Sequence, residues 1–280
     1  PGTHMGTVSL TVSDLGRVAS FYERVLGLRP RPEDDGRVSL HADAGRALVE
    51  LRADSGAPVR DPRAPGLFHL ALLLPDRREL AMALARLGAN RWPLDGASDH
   101  LVSEALYLSD PEGNGIELYR DRPRAEWPES DGSLAMATLP LDLENLLAEL
   151  GDASSVEPRA PAGTTMGHVH LKVSDIQQAE DFYVGVLGFE VTVRRYPGAL
   201  FVSAGGYHHH LCLNTWHSAG SPPAPPEAAG LRNFEVVLPS ADELDKVVAR
   251  VQKAGLQIEP DAGGQFVRDP FGNGVLLRAA

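Results

Sequence analysis

The sequence predicts an α+β chain built from four βαβββ modules, and three observations carry that prediction. The phrase "MGTVSLTVSDL" at residues 5–15 returns as "MGHVHLKVSDI" at residues 166–176, and Asp14, Tyr22, Leu26 and Gly27 recur at one constant displacement as Asp175, Tyr183, Leu187 and Gly188. A second, unlike phrase, "GLFHLALLLPDRREL" from Gly66, answers "GLRNFEVVLPSADEL" from Gly230. Each of these closes on a similar turn, "DPEGNGIEL" from Asp110 and "DPFGNGVLL" from Asp269. Repetition at this scale means two halves, each of two unlike quarters.

Every quarter reads alike. In the first, Val8, Leu10 and Val12 alternate as in a half-buried strand, and Ser13-Asp14 offers a helix cap. The following "LGRVASFYERVLG" carries Val18, Phe21, Tyr22 and Val25 at helical spacing and stops at Gly27. Shorter β-rich stretches broken by Gly and Pro complete the quarter; "GALFVSAGGYHHHLCLN" is the example from the third. The modules are expected at 5–55, 65–120, 166–216 and 230–280, giving an N-terminal pair over 1–120 and a C-terminal pair over 166–280. Residues 121–165, rich in Pro, Ala and charge, read as a connector with one short helix at "LDLENLLAEL".

At 280 residues the chain can bury a core in each of two domains, and 43% hydrophobic with 23% charged residues is ordinary globular composition. A net charge of −12 argues against nucleic acid as a partner, because phosphate binders cluster Lys and Arg. Cys212 is the only cysteine, which rules out an internal disulfide and fits a reducing, cytoplasmic setting. No apolar run has the length of a membrane span, and no signal-like segment opens the sequence.

The strand, "SD" turn, helix with "FY" and "LG", and closing "DPxGNG" hairpin resemble the vicinal oxygen chelate superfamily of glyoxalase I, fosfomycin- and bleomycin-resistance proteins and type I extradiol dioxygenases. Four modules in one chain resemble the extradiol dioxygenases, and "GGYHHHLCLNTW" with "VSEALYLSDPEGNGIELYRDRP" is similar to bacterial catechol 2,3-dioxygenases. The resemblance implies two incomplete mixed β-barrels with helices outside, and one metal held from the first strand of each module in a pair and the last strand of one. Those positions are Thr7 in module 1, His69 and Glu117 in module 2, His168 in module 3, and Asn233 and Leu276 in module 4. The familiar pairing of modules 3 and 4 would offer His168, Asn233 and Leu276, which is not a ligand set. Modules 1 and 2 lack one histidine, with Glu50 as a glyoxalase-like extra.

Only modules 2 and 3 supply a full set, His69, Glu117 and His168, the two-histidine, one-carboxylate triad of non-haem Fe(II) oxygenases. The partner module lies in the same chain or, by exchange, in a neighbouring subunit, and a homo-oligomer stays open. Modules 1 and 4 would form a metal-free barrel. By the same resemblance Tyr107 matches the active-site tyrosine and His100 falls near a second active-site histidine. His209 matches the base, with His208 and His210 expected to point away from wherever His209 points, unless the register slips by one and promotes one of those instead. His170 shares the face of His168 and is expected to line the cavity or make a surface hydrogen bond; Trp216 is placed at the cavity mouth or in packing.

The resulting expectation is ring cleavage of catechol or a substituted catechol by Fe(II) and O2, with Mn(II) or another divalent metal as alternatives and no membrane or nucleic-acid partner. A para-hydroquinone is the second choice of substrate. Two other functions compete: a metal-dependent lyase or isomerase of the glyoxalase kind using Glu50, His69 and Glu117, and a metal-free small-molecule binder.

Overall fold

The computed structural model describes residues 2–33, 35–130, 133–151, 155–261 and 263–280. Four βαβββ modules follow one another in the predicted order. Module 1 comprises β1 (His4–Val12), α1 (Leu15–Arg24), β2 (Arg29–Pro32), β3 (Arg37–His41) and β4 (Val49–Ala53). Module 2 comprises β5 (Gly66–Leu73), α2 (Arg77–Ala89), β6 (Gly96–Asp99), β7 (Ser103–Ser109) and β8 (Gly115–Asp121). The connector carries the short strands β9 (Glu129–Ser130), β10 (Ser133–Leu134) and β11 (Leu139–Pro140) and the helix α3 (Leu143–Ala148), the one expected in "LDLENLLAEL". Residues 131, 132 and 152–154 of the connector lie outside the described residues. Module 3 comprises β12 (Thr165–Lys172), α4 (Ile176–Glu180) continued by a π turn over Asp181–Val186, β13 (Glu190–Val193), β14 (Ala199–Ser203) and β15 (Leu211–Asn214). Module 4 comprises β16 (Gly230–Leu238), α5 (Ala241–Lys253), β17 (Ile258–Asp261), β18 (Gly264–Arg268) and β19 (Gly274–Ala279).

The repeated motifs have structural causes. Each helix opens on a side-chain oxygen that accepts a backbone N–H three residues on: Asp14 from Arg17, Asp76 from Glu79, Asp175 from Gln178 and Ser240 from Glu243. Such a cap satisfies one of the orphan donors of a helix start and contributes about 1 kcal/mol. In the closing turn Asp110 accepts from the N–H of Glu112 and Asn114 and from the Asn114 side chain, all at 2.8–2.9 Å. Asp269 repeats this with Phe271 and Asn273. The tyrosine of "FY" in module 3 donates to the turn of module 4, Tyr183 Oη to Asp269 Oδ2 at 2.8 Å. Both groups are buried, and burial pushes the phenol and the carboxyl above their ordinary values. In modules 3 and 4 these residues lock helix to turn.

The described chain divides into two compact units. One comprises residues 1–11, 56–68 and 167–280; the other comprises 12–55 and 69–166. In the first, strands run in the order β17-β18-β19-β16-β1 and, separately, β12-β15-β14-β13. Module 1 meets module 4 here, β1 antiparallel to β16 with Ser9 opposite Asn233. Parallel pairs β16–β19 and β12–β15 make both sheets mixed. Its core includes Leu10, Val169, Leu171, Leu211, Leu213 and Phe234, all fully buried. In the second unit the strand orders are β11-β6-β7-β8-β5 and β4-β3-β2, with β5 and β8 parallel. Leu40, Leu51, Leu70 and Leu80 are fully buried there with Tyr22 and Tyr119. Each buried leucine contributes about 1.5–3 kcal/mol relative to exposure.

Candidate metal centre

Parallel pairing of β5 and β8 sets Ala71 opposite Glu117, so His69, two residues earlier, shares the face of Glu117. The two side chains meet there: His69 Nε2 lies 2.9 Å from Glu117 Oε2, and both residues are buried. On the next strand Tyr107 stands directly opposite Glu117, its ring 5.6 Å from that of His69. A carboxylate and an imidazole nitrogen withheld from water on one sheet face form two-thirds of a ligand set for a divalent metal.

His100 joins this group from the turn after β6. Its Nε2 is 2.6 Å from Tyr107 Oη and its Nδ1 is 2.7 Å from the carbonyl oxygen of Ala137 in the connector. A carbonyl only accepts, so Nδ1 carries the proton and Nε2 of the neutral ring accepts the Tyr107 hydroxyl. The turn that presents His100 is held hard. Leu101 takes φ 70°, a left-handed conformation costly for a residue with a Cβ, while its N–H bonds to Asp99. Arg122 clamps the same Asp99 at 2.7 Å.

In the other unit His168 projects from β12 with 1% of its surface exposed. The ring of His209 lies 4.2 Å from it and also packs edge-on to Phe201. His208 does not point away, as strand alternation required: its Nδ1 is 2.8 Å from His209 Nδ1, and its ring is 6.4 Å from His168. The reason is that β15 begins only at Leu211, so the three histidines lie before the strand, where alternation has no hold. His210 does turn aside, its Nδ1 accepting from Ser203 Oγ at 2.9 Å and from the Ala204 N–H at 3.2 Å. His170 accepts from Asn214 Nδ2 at 2.8 Å and lies beside Phe68 and Trp216, an aromatic group that sequence reading did not assemble. Trp216 is 40% exposed, at a rim and not in a core. Glu50, the extra carboxylate of the glyoxalase-like reading, is held by Arg37 at 2.6 Å.

Burial, then the neighbouring His208 and His168, pushes His210 down to about 4. A histidine depressed in the fold binds its proton more readily when unfolded. Its contribution is therefore complete above the ordinary value near 6.5 and is lost as pH falls toward 4. In chelator-treated protein, urea unfolding should show that loss, up to about 3 kcal/mol, and His210→Gln should flatten it relative to wild type. An unchanged slope in the variant would place the acid sensitivity elsewhere.

Comparison with known proteins gives a consistent set of likenesses. Residues 4–118 and 165–277 match the Glyoxalase/Bleomycin resistance protein/Dioxygenase superfamily. A protein of Bacillus subtilis (strain 168) named catechol-2,3-dioxygenase is 47% identical over 272 residues, covering 96% of this chain and 94% of its own. Among solved structures, one from Bacillus subtilis subsp. subtilis str. 168 superposes with a TM-score of 0.68 at 13% identity, covering 99% of this chain and 84% of its own. Glyoxalase I from Zea mays does so with 0.58 at 16% identity, covering 98% and 92%. At such identities the structural likenesses speak for the fold alone. No helix among the described residues is long and apolar enough to cross a membrane.

Proposed function

Since this chain belongs to the Glyoxalase/Bleomycin resistance protein/Dioxygenase superfamily, we propose that it is an extradiol dioxygenase that cleaves catechol or a substituted catechol with O2. The observation that carries the reading is a donor set: His69, Glu117 and His168, all buried, are the group among the described residues that could hold a metal ion. Two imidazoles and one carboxylate suit Fe(II), with Mn(II) or another divalent metal as the alternative, and leave positions open for substrate and oxygen. A relative named catechol-2,3-dioxygenase, 47% identical over 96% of this chain, supports the same activity.

The chemistry supplied when the metal is bound is Lewis-acid attraction for the diol as its anion and redox access to dioxygen. The remaining work falls to the chain. His209, its ring against His168, takes a hydroxyl proton from the diol, and a 2.8 Å contact between the two Nδ1 atoms ties it to His208. Tyr107, opposite Glu117, is tethered through His100 to the Ala137 carbonyl, so a proton can pass between phenol and imidazole without either ring moving. Phe201, edge-on to His209, supplies apolar surface beside that base.

A lyase of the glyoxalase kind would call on Glu50, whose carboxylate is already paired with Arg37. Loading the protein with iron without oxygen and then offering a panel of catechols should give one O2 consumed per ring, with a yellow ring-opened product. A para-hydroquinone is the second substrate to test. Turnover of a methylglyoxal–glutathione adduct, with no diol consumed, would decide for the lyase instead.

A further inference from the structure

Module 4 keeps the scaffold of a site without its ligands. Where module 2 sets Tyr107 opposite Glu117, module 4 sets Phe266 opposite Leu276 in the same antiparallel register. Asn233 stands where module 2 has His69. This place is not filled in. A cavity of about 260 Å³ opens there, lined by Asn233 and Phe266 together with Arg60, Arg232, Arg268, Asp261 and Phe271. Three arginines and one aspartate thus line it, in a chain whose net charge is −12. A locally positive cavity in an acidic protein concentrates anions against the general field.

Arg60 is the most telling of the three. It reaches the cavity from the loop before β5, and its hydrogen bond is a long one, Nη2 to the Leu67 carbonyl at 3.4 Å. Among the described residues no carboxylate compensates its charge, and burial alone pushes the guanidinium below its ordinary value. Gly66 and Gly230, the first residues of β5 and β16, leave it room: a Cβ at either would run into its guanidinium. Both glycines have positive φ, 143° and 107°, which side-chain-bearing residues rarely adopt. A half-buried guanidinium remains charged and is costly without a counter-charge. Arg268 is anchored by Nη1 to the Gly272 carbonyl at 2.9 Å and lies over the Phe266 ring at 5.1 Å, so it is pre-set beside an aromatic wall.

We propose that this cavity binds a small aromatic carboxylate, with its carboxylate on the guanidiniums of Arg60 and Arg268 and its ring against Phe266 and Phe271. Bidentate guanidinium–carboxylate bonds supply the charge recognition. The volume lies just under the usual range for drug-sized ligands, about 300–1,000 Å³, which suits a single ring. None of the proposed ligands His69, Glu117 and His168 lines the cavity, and the site stands whether or not the chain cleaves catechols.

Calorimetric titration of benzoate into the full-length, chelator-treated protein at low salt tests it. One saturable site per chain is expected, weakened at least tenfold in Arg268→Gln and in Arg60→Gln. Arg60 is wedged between two strand starts, so Arg268→Gln is the variant that decides if Arg60→Gln fails to fold. Absence of saturable binding, or benzoate binding unchanged in Arg268→Gln, overturns the proposal. Inorganic phosphate binding in place of benzoate would also overturn it, by showing a site for bare anions. Diol turnover takes no part in this measurement, so its failure leaves the dioxygenase reading intact.

Discussion

Alanine at His69, at Glu117 or at His168 is expected to remove most of the bound metal and nearly all ring cleavage. His69 and Glu117 already approach to 2.9 Å on one sheet face, and the proposed third ligand, His168, is buried as well. A three-point anchor reduced to two loses affinity and also geometry, since the remaining donors no longer define which positions stay open. Outer residues that merely orient ligands cost about 10- to 100-fold when removed, so loss of a ligand should cost at least about 100-fold in metal affinity. Metal content per chain after anaerobic loading is the direct readout, with oxygen uptake alongside. Thr7→Ala and Asn233→Ala serve as controls, because those residues occupy the corresponding positions of modules 1 and 4, where β1 pairs with β16. Full metal in His69→Ala with loss in Asn233→Ala would move the centre to the other pair of modules.

How far the sequence foretold this molecule depends on the range of the interactions involved. The modules were legible because their marks are local: an Asp cap acts three residues on, and the Asp of the closing turn acts within four. The proposed ligands follow from the family resemblance, carried onto Thr7, His69, His168 and Asn233 by the repeat, and the parallel pairing of β5 and β8 puts His69 and Glu117 on one face. The histidine triplet departs from period-2 alternation because the strand starts only at Leu211. His208 is consequently a partner of His209 and not its opposite. Two contacts had no signal at all. Nothing in "AMATLP" announces that the Ala137 carbonyl fixes the proton on His100, and nothing near Arg60 announces that its side chain packs against Gly230. Both join segments remote in sequence through a backbone group or a gap, which composition and periodicity do not record.

His209→Ala separates binding from catalysis. The ring of His209 lies 4.2 Å from that of His168, close enough to serve a substrate held at the same centre, yet it is not in the ligand group. The variant should therefore keep its metal and still bind catechol, because the attraction for the diol comes chiefly from the metal, while the imidazole moves a proton. The loss should fall on kcat, on the order of 10² to 10⁴, or about 3 to 5 kcal/mol of barrier. An imidazole acts as a base only when unprotonated, so the wild-type rate should fall on the acid side and this limb should flatten in the variant. His208 supplies a second check, since its Nδ1 lies 2.8 Å from His209 Nδ1 and orients that ring. His208→Ala should keep the limb while lowering kcat less than His209→Ala does. Metal loss in His209→Ala would make it a ligand. An undiminished rate there, with a lost limb in His208→Ala, would pass the role of base to His208.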